Sequence, residues 1–294
     1  MLRIVRRGDR HDPRDLTVSF RFEGAFAAAF VEGQTEGMLP GEAIKNLVHA
    51  AARRHGADEI ESLGLALATE VLERQPRISR VRVEILEQRW QRLEAGGRTQ
   101  AQTFVMGSPE ERTAVITSNG RQTSVVGGID QLTLMRSAGF APARGAKPDD
   151  GLSDGMQPLL VGVLSARWTY TSGDVTFSVY RQAVRNAVVE TFAWHESQSV
   201  QHVLYAIADV VLATCEDISE ITLTFHERPY RPADLFAAGA ENPDELFVVV
   251  DEPVGVVELT VERSAWDDRG SPFSHCRPRA RRRFPDVRPG RRDA

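Results

Sequence analysis

Ile78-Ser-Arg-Val-Arg-Val-Glu-Ile85 alternates strictly, with Val81, Val83 and Ile85 on one face and Arg80, Arg82 and Glu84 on the other. That is the pattern of a β-strand with one buried and one wet side. It returns, shifted by 140 in numbering, as Ile218-Ser-Glu-Ile-Thr-Leu-Thr-Phe225. The same shift pairs Ala66 with Ala206, Ala68 with Ala208, Leu72 with Leu212 and Ser79 with Ser219 without a gap. A duplicated unit is the economical explanation.

The surroundings of each copy define the unit. Ahead of Ile78, Ile44, Leu47, Val48 and Ala51 fall at helical spacing with Gly56 as a stop, and Ile60, Leu63, Leu67 and Val71 form a second stripe ended by Pro76. Ahead of Ile218 stand the stripes Val184, Ala187, Val188, Phe192 and Val200, Val203, Leu204, Ile207, Val211. Residues 16–31 read as a strand turning into a second strand, and Leu159–Thr171 with Val175–Tyr180 as two strands joined at Ser172-Gly173-Asp174. Further strand-like runs are Thr103–Met106, Thr113–Ser118 and Leu132–Met135. The fold class expected is α+β, each half an antiparallel sheet with helices on one face. The expected layout is an N-terminal arm (1–15), a first unit (16–140), a turn-rich linker (141–155), a second unit (156–263) and a tail (264–294).

The chain has 294 residues, 41% apolar and 26% charged, an ordinary globular composition that excludes disordered or collagenous chains. No run reaches the roughly 18 apolar residues of a membrane span, and the start lacks a signal-peptide core, so no membrane association and a cytoplasmic location are expected. Cys215 and Cys276 cannot form a disulfide framework, and the seven histidines make no ligand-spaced grouping, so no metal is expected. The net charge of −5 is unevenly spread, because residues 264–294 hold nine arginines against four aspartates. This proline-punctuated segment reads as a solvated, disordered tail. The alternative is a nonspecific polyanion or partner contact, against which stands the near absence of the interleaved aromatics that base stacking with a nucleic acid would use.

In this setting the chain resembles the urate oxidase (uricase) family. The resemblance spans residues 16–263 and rests on Lys45-Asn46, Arg89-Trp90-Gln91-Arg92, Ser197-Gln-Ser-Val-Gln201 with Tyr205, Tyr230 with Asp234-Leu235, Asn242 through Phe247, Asp251, Pro253, Gly255, and Thr260-Val-Glu-Arg263. It implies two tandem T-fold (tunnelling-fold) units and a homo-oligomer, most simply a homotetramer, with sites between subunits. It also implies an oxidoreductase that oxidises urate with molecular oxygen and no cofactor.

Carried over residue by residue, the resemblance departs at most working positions. The family's Thr-Asp pair falls on Gly41-Glu42, its clamp arginine on Pro158, and its Asn-Lys-His segment on Glu227-Arg228-Pro229. Its His-x-His-Ser-Phe element reads Gln100-Ala-Gln-Thr-Phe104, and its lysine falls ahead of Met1. Proline offers no guanidinium, glycine no hydroxyl to relay a proton, and Pro229 no base. The resemblance keeps Val200 and Gln201 as ligand-binding residues, with Phe140 as the candidate stacking ring. Glu42, His226 and Glu227 are the candidate catalytic groups. Each has a plainer alternative: Glu42 as a first-turn acid on a helix dipole, His226 as a surface histidine, Glu227 as a strand-end acid, Gln201 as a helix-start buttress.

The expectation is a diverged family member that binds, and as an enzyme would oxidise, a purine-like or lactam heterocycle richer in ring donors than urate, without efficient urate oxidation by itself. The alternatives are a silent T-fold subunit, structural or regulatory, paired with a paralogous chain, and a purely structural oligomer with a filled pocket.

Overall fold

The computed structural model describes residues 1–35, 38–56, 58–137, 159–197, 199–243, 245–250 and 255–263. Its elements are β1 (Leu2–Arg7), β2 (Arg10–Gly24), α1 (Ala27–Val31), α2 (Gly41–His55), α3 (Ile60–Arg74), β3 (Ile78–Ala95), β4 (Arg98–Ser118), β5 (Thr123–Arg136), β6 (Leu160–Tyr170), α4 (Phe177–Trp194), α5 (Val200–Thr214), β7 (Ile218–Glu227), β8 (Tyr230–Pro232), β9 (Phe247–Val249) and β10 (Val256–Glu262). The eight strands β1-β2-β3-β4-β5-β6-β7-β10 form one continuous antiparallel sheet in that order, and β8 pairs with β9 apart from it.

The repeat shift of 140 holds to the residue. α3 spans 60–74 and α5 spans 200–214, and the strands that follow open at Ile78 and Ile218. Two strands, two long helices and two strands thus occur twice, as two tandem T-fold units, with the short α1 added in the first; β5 (Thr123–Arg136) opens the second unit, so the first unit ends after β4 rather than at residue 140. Val81, Val83 and Ile85 of β3 are buried, as are Ile218, Ile221, Leu223 and Phe225 of β7. They face α3 and α5, whose inward stripes Ile60, Leu63, Leu67, Val71 and Val203, Leu204, Ile207, Val211 close one core. Gly64 lets α3 approach, since a Cβ there would stand 2.3 Å from Ile116 Cδ1.

Three local expectations are corrected. Residues 1–15 are not an arm: they supply β1 and the first part of β2, joined by a tight turn at Gly8 with φ +61°. Residues 27–31 form the short helix α1 rather than a second strand. The strand expected at 175–180 is absent because α4 begins at Phe177, whose ring packs edge-on against Tyr170 at 5.0 Å. The preceding strand partner is instead β5, which pairs with β6 from Val126↔Thr169 to Arg136↔Leu160. Residues 103–106 and 113–118 lie on one long strand, β4. It folds back on β3 through Gly96-Gly97, both at positive φ, as a two-residue hairpin requires. The expected linker and tail lie outside the described residues.

Candidate functional site

The end of the second repeat gathers four segments. The chain reverses between α5 and β7, so the start of α5 and the end of β7 lie at the same end of the unit. β6 starts there, with Gly162 opposite Glu227 and the Arg228 N–H donating to Val161 O at 2.8 Å. β5 ends there at Arg136, whose guanidinium donates to the carbonyl of Phe192 in the last turn of α4 and to that of His195 just beyond it, and stacks 5.4 Å over the Phe192 ring. Gly162 is required for this closure, because a Cβ would stand 2.3 Å from Phe225 Cζ and 2.7 Å from His226 O.

The start of α5 is capped locally. Ser199 is extended, and its Oγ accepts from the His202 N–H at 3.2 Å. The N–H groups of Val200 and Gln201 belong to the first turn, where no acceptor exists within the helix. The Val200 side chain is buried in the core, leaving its backbone as the outward group, whereas Gln201 is exposed. Gln201 therefore presents a planar amide, two donors and one acceptor, in the first turn, where backbone N–H groups lack partners within the helix.

Glu227 is half-buried at the end of β7. Its N–H donates to Gly255 O at 2.8 Å, and Gly255 is a close-approach glycine, since a Cβ would lie 3.1 Å from Glu227 Oε2. His226, one residue back, is exposed and pairs across the sheet with Val256 and Val163. Glu42 sits in the other repeat, exposed in the first turn of α2, 3.8 Å from Lys45. α2 packs on α3, while α5 packs on α4, β7 and β10. One protomer thus brings Gln201, His226 and Glu227 to one end of a unit and leaves Glu42 on a separate surface. Phe140 and Pro158 lie outside the described residues.

Sequence reasoning took His195 singly, as a surface or structural histidine rather than a base, and missed the pair it makes beside this end. The His195 Nδ1 shares a 2.6 Å hydrogen bond with Ser197 Oγ, and its ring meets His202 edge-on at 4.8 Å. Burial, then the His202 and Arg136 charges, hold His195 below the ordinary imidazole range. It is thereby biased to the neutral form, which can accept a proton.

A seam of buried charges was missed as well. Glu61 of α3 and Arg181 of α4 pair at 3.0 Å, and Glu87 of β3 takes Arg14 at 2.7 Å and Arg112 at 3.2 Å. Glu110 of β4 takes Arg185 at 2.8 Å and Arg89 at 3.6 Å. The Glu61–Arg181 and Glu110–Arg185 pairs tie the first repeat to α4 of the second.

Comparison with known proteins identifies the fold's relatives. The family model described as Uricase matches residues 5–117 and 126–258. The uricase of Arthrobacter globiformis is 28% identical over 265 residues, covering 90% of this chain and 86% of that protein. That of Dictyostelium discoideum is 26% identical over 242 residues, covering 81% and 84%. The crystal structure of the Arthrobacter globiformis uricase superposes with a TM-score of 0.80 at 28% identity, with 90% of each chain covered. Urate oxidase from Bacillus sp. TB-90 gives 0.73 over 85% of this chain and 88% of that one, at 17% identity, and supports the fold alone. Among the described residues no helix is long and apolar enough to cross a membrane. Since the family model covers most of both repeats, the chain belongs to the uricase family.

Proposed function

We propose that this chain binds a flat, donor-rich heterocycle of the amino-purine, lactam or pterin kind against the start of α5, and that by itself it does not oxidise urate at the rate of an ordinary uricase. The observation that carries the reading is the exposed Gln201 amide beside the first-turn N–H groups of α5, with the Glu227 carboxylate at the same end of the repeat. A carboxylate is acceptor-only. It favours rings that offer N–H or amino donors over carbonyl-rich urate.

The inability to handle urate follows from the residues the resemblance places at working positions. Gly41 opens α2 with no hydroxyl, and Pro229 follows β7 with no titratable group. Members of a cooperating proton relay lose function together rather than by degrees. Under this reading any chemistry at the site is cofactor-free, with His226, Glu227 and Glu42 as the ionisable groups. Glu42 reaches the site only from a second copy. That requirement agrees with the edge strands β1 and β10, which carry exposed Leu2, Ile4 and Val256 and suit pairing between copies of a closed oligomer.

The test is loss of urate absorbance with oxygen uptake, run beside calorimetry on a panel of urate, guanine-like lactams and pterins. No urate turnover, binding of panel members in preference to urate, and a loss of about 1 to 3 kcal/mol in Gln201→Ala are expected. Turnover near that of an ordinary uricase would overturn the reading.

A further inference from the structure

We propose that the seam between the repeats contains a small-oxyanion site of the phosphate class, in a polar cavity of about 230 Å³ walled by Arg14, Arg112, Arg181 and Arg185. It is independent of the reading at α5. Arg14 comes from β2, Arg112 from β4, and Arg181 and Arg185 from successive turns of α4. A small anion there would bridge three elements that nothing covalent holds in register.

Each guanidinium is fixed on one side by a carboxylate. Arg14 Nη1 donates to Glu87 at 2.7 Å, Arg112 Nη1 to the same carboxylate at 3.2 Å, Arg181 Nη2 to Glu61 at 3.0 Å, and Arg185 through Nε and Nη2 to Glu110 at 2.9 and 2.8 Å. A guanidinium has five N–H donors in a rigid fork. These bonds orient the planes and leave donors over, which is the geometry that recognises tetrahedral oxyanions. Arg14 Nε and Arg181 Nε have no partner among the described residues.

The local charge balance points the same way. With Arg89, five guanidinium groups stand against three buried carboxylates, Glu61, Glu87 and Glu110. Two further acids keep their charge at the margin of this set, Glu59, which accepts the Ser178 N–H of α4 at 2.9 Å, and Asp58 at the cavity mouth, more than half exposed and shared between Arg14 and Arg7, so the excess of positive charge is confined to the buried groups. Burial, opposed by Glu87 but reinforced by the Arg181 and Arg89 charges, pulls the Arg112 pKa down, a repulsion that a bound anion relieves. Burial likewise pushes the Glu61 pKa up, opposed first by the Arg181 charge.

Calorimetry and thermal melts on the full chain, with inorganic phosphate or glycerol phosphate against chloride at matched ionic strength, test this. Saturable stabilisation by phosphate is expected. Tighter binding of inorganic phosphate would make the ligand a free ion, and tighter binding of the ester would make it a headgroup; either supports the site. Arg112→Gln should weaken binding about tenfold or more. Gln182→Glu, at an exposed residue of the cavity rim that leaves the buried pairs intact, should weaken it about threefold or more. Stabilisation no greater than chloride's overturns the proposal, as does binding unchanged in Gln182→Glu, which would place the anion on the arginine-rich C-terminal segment.

Discussion

Replacing Arg181 by leucine should unfold more of this protein than any surface change, and the reason is the partner left behind. Glu61 is fully buried on α3, and its Oε2 accepts from Arg181 Nη2 at 3.0 Å. Its other oxygen, Oε1, has no partner among the described residues. Removing one member of a buried pair strands the other charge, which costs about 3 to 5 kcal/mol. For a chain of this size that is a fall in melting temperature of roughly 6 to 20 °C at pH 7. Burial raises the Glu61 pKa even with Arg181 present. A raised carboxyl adds stability below the unfolded-state value and loses it as pH climbs through the folded-state value. The deficit of Arg181→Leu should therefore shrink as pH falls from 7 towards 5, where Glu61 can protonate. The double variant Glu61→Leu/Arg181→Leu removes both charges and should recover to within about 1 to 2 kcal/mol of the parent. Melts followed by circular dichroism at both pH values, in phosphate-free buffer, measure all three. A single-variant cost under about 1 kcal/mol, or a double variant no better than the single, would refute the view that Arg181 is what compensates the buried Glu61 charge.

Other outcomes follow from the same geometry. Gly162→Ala puts a Cβ against Phe225 and the backbone oxygen of His226, which cannot yield, so denaturant titration should show a loss near about 3 kcal/mol, the upper end for overpacking. His195 should titrate below the ordinary histidine midpoint when followed by NMR. Because its folded-state pKa is depressed, its contribution to stability is complete above the unfolded-state value and is lost as pH falls through the folded-state one. Deleting residues 264–294 should leave melting temperature and assembly unchanged, with light scattering as the check, since the repeat ends near Arg263.

The repeat was legible because both copies obey one inward pattern and one helix spacing, and a shift of 140 superposes them without adjustment. What the sequence hid was local. Ala27–Val31 and Phe177–Tyr180 are short apolar runs, and periodicity alone cannot decide such runs between helix and strand. Phe177, the first residue of α4, packs its ring edge-on against Tyr170 at the end of the preceding strand, a contact that periodicity does not encode. The N-terminal residues read as an arm because the recognisable strand pattern begins only at Leu16. In the fold Arg3 stands opposite Arg14 and Arg7 opposite Arg10 across the β1–β2 hairpin, and Arg14 turns inward to Glu87.

Glu87 shows how the buried seam could have been found. The inward positions of β3 are Val81, Val83 and Ile85, and continuing the same period reaches Glu87; on β4 the inward positions Ile116 and Ala114 continue to Arg112. Two neighbouring strands thus replace apolar residues with opposite charges at the same level, Glu87 directly opposite Arg112 in the register. A lone acid on an inward face reads as the end of a strand, but a matched acid and base on adjacent inward faces read as a buried pair. The candidate site was harder to read because its parts come from different elements. Gln201 is found by its motif, while Glu227 and Gly255 are brought to the same end of the unit only by the reversal at 215–217 and by the β6–β7 register. Glu42 makes the same point from the other side: no register within one protomer carries α2 to α5, so a site that used both would have to be completed across copies.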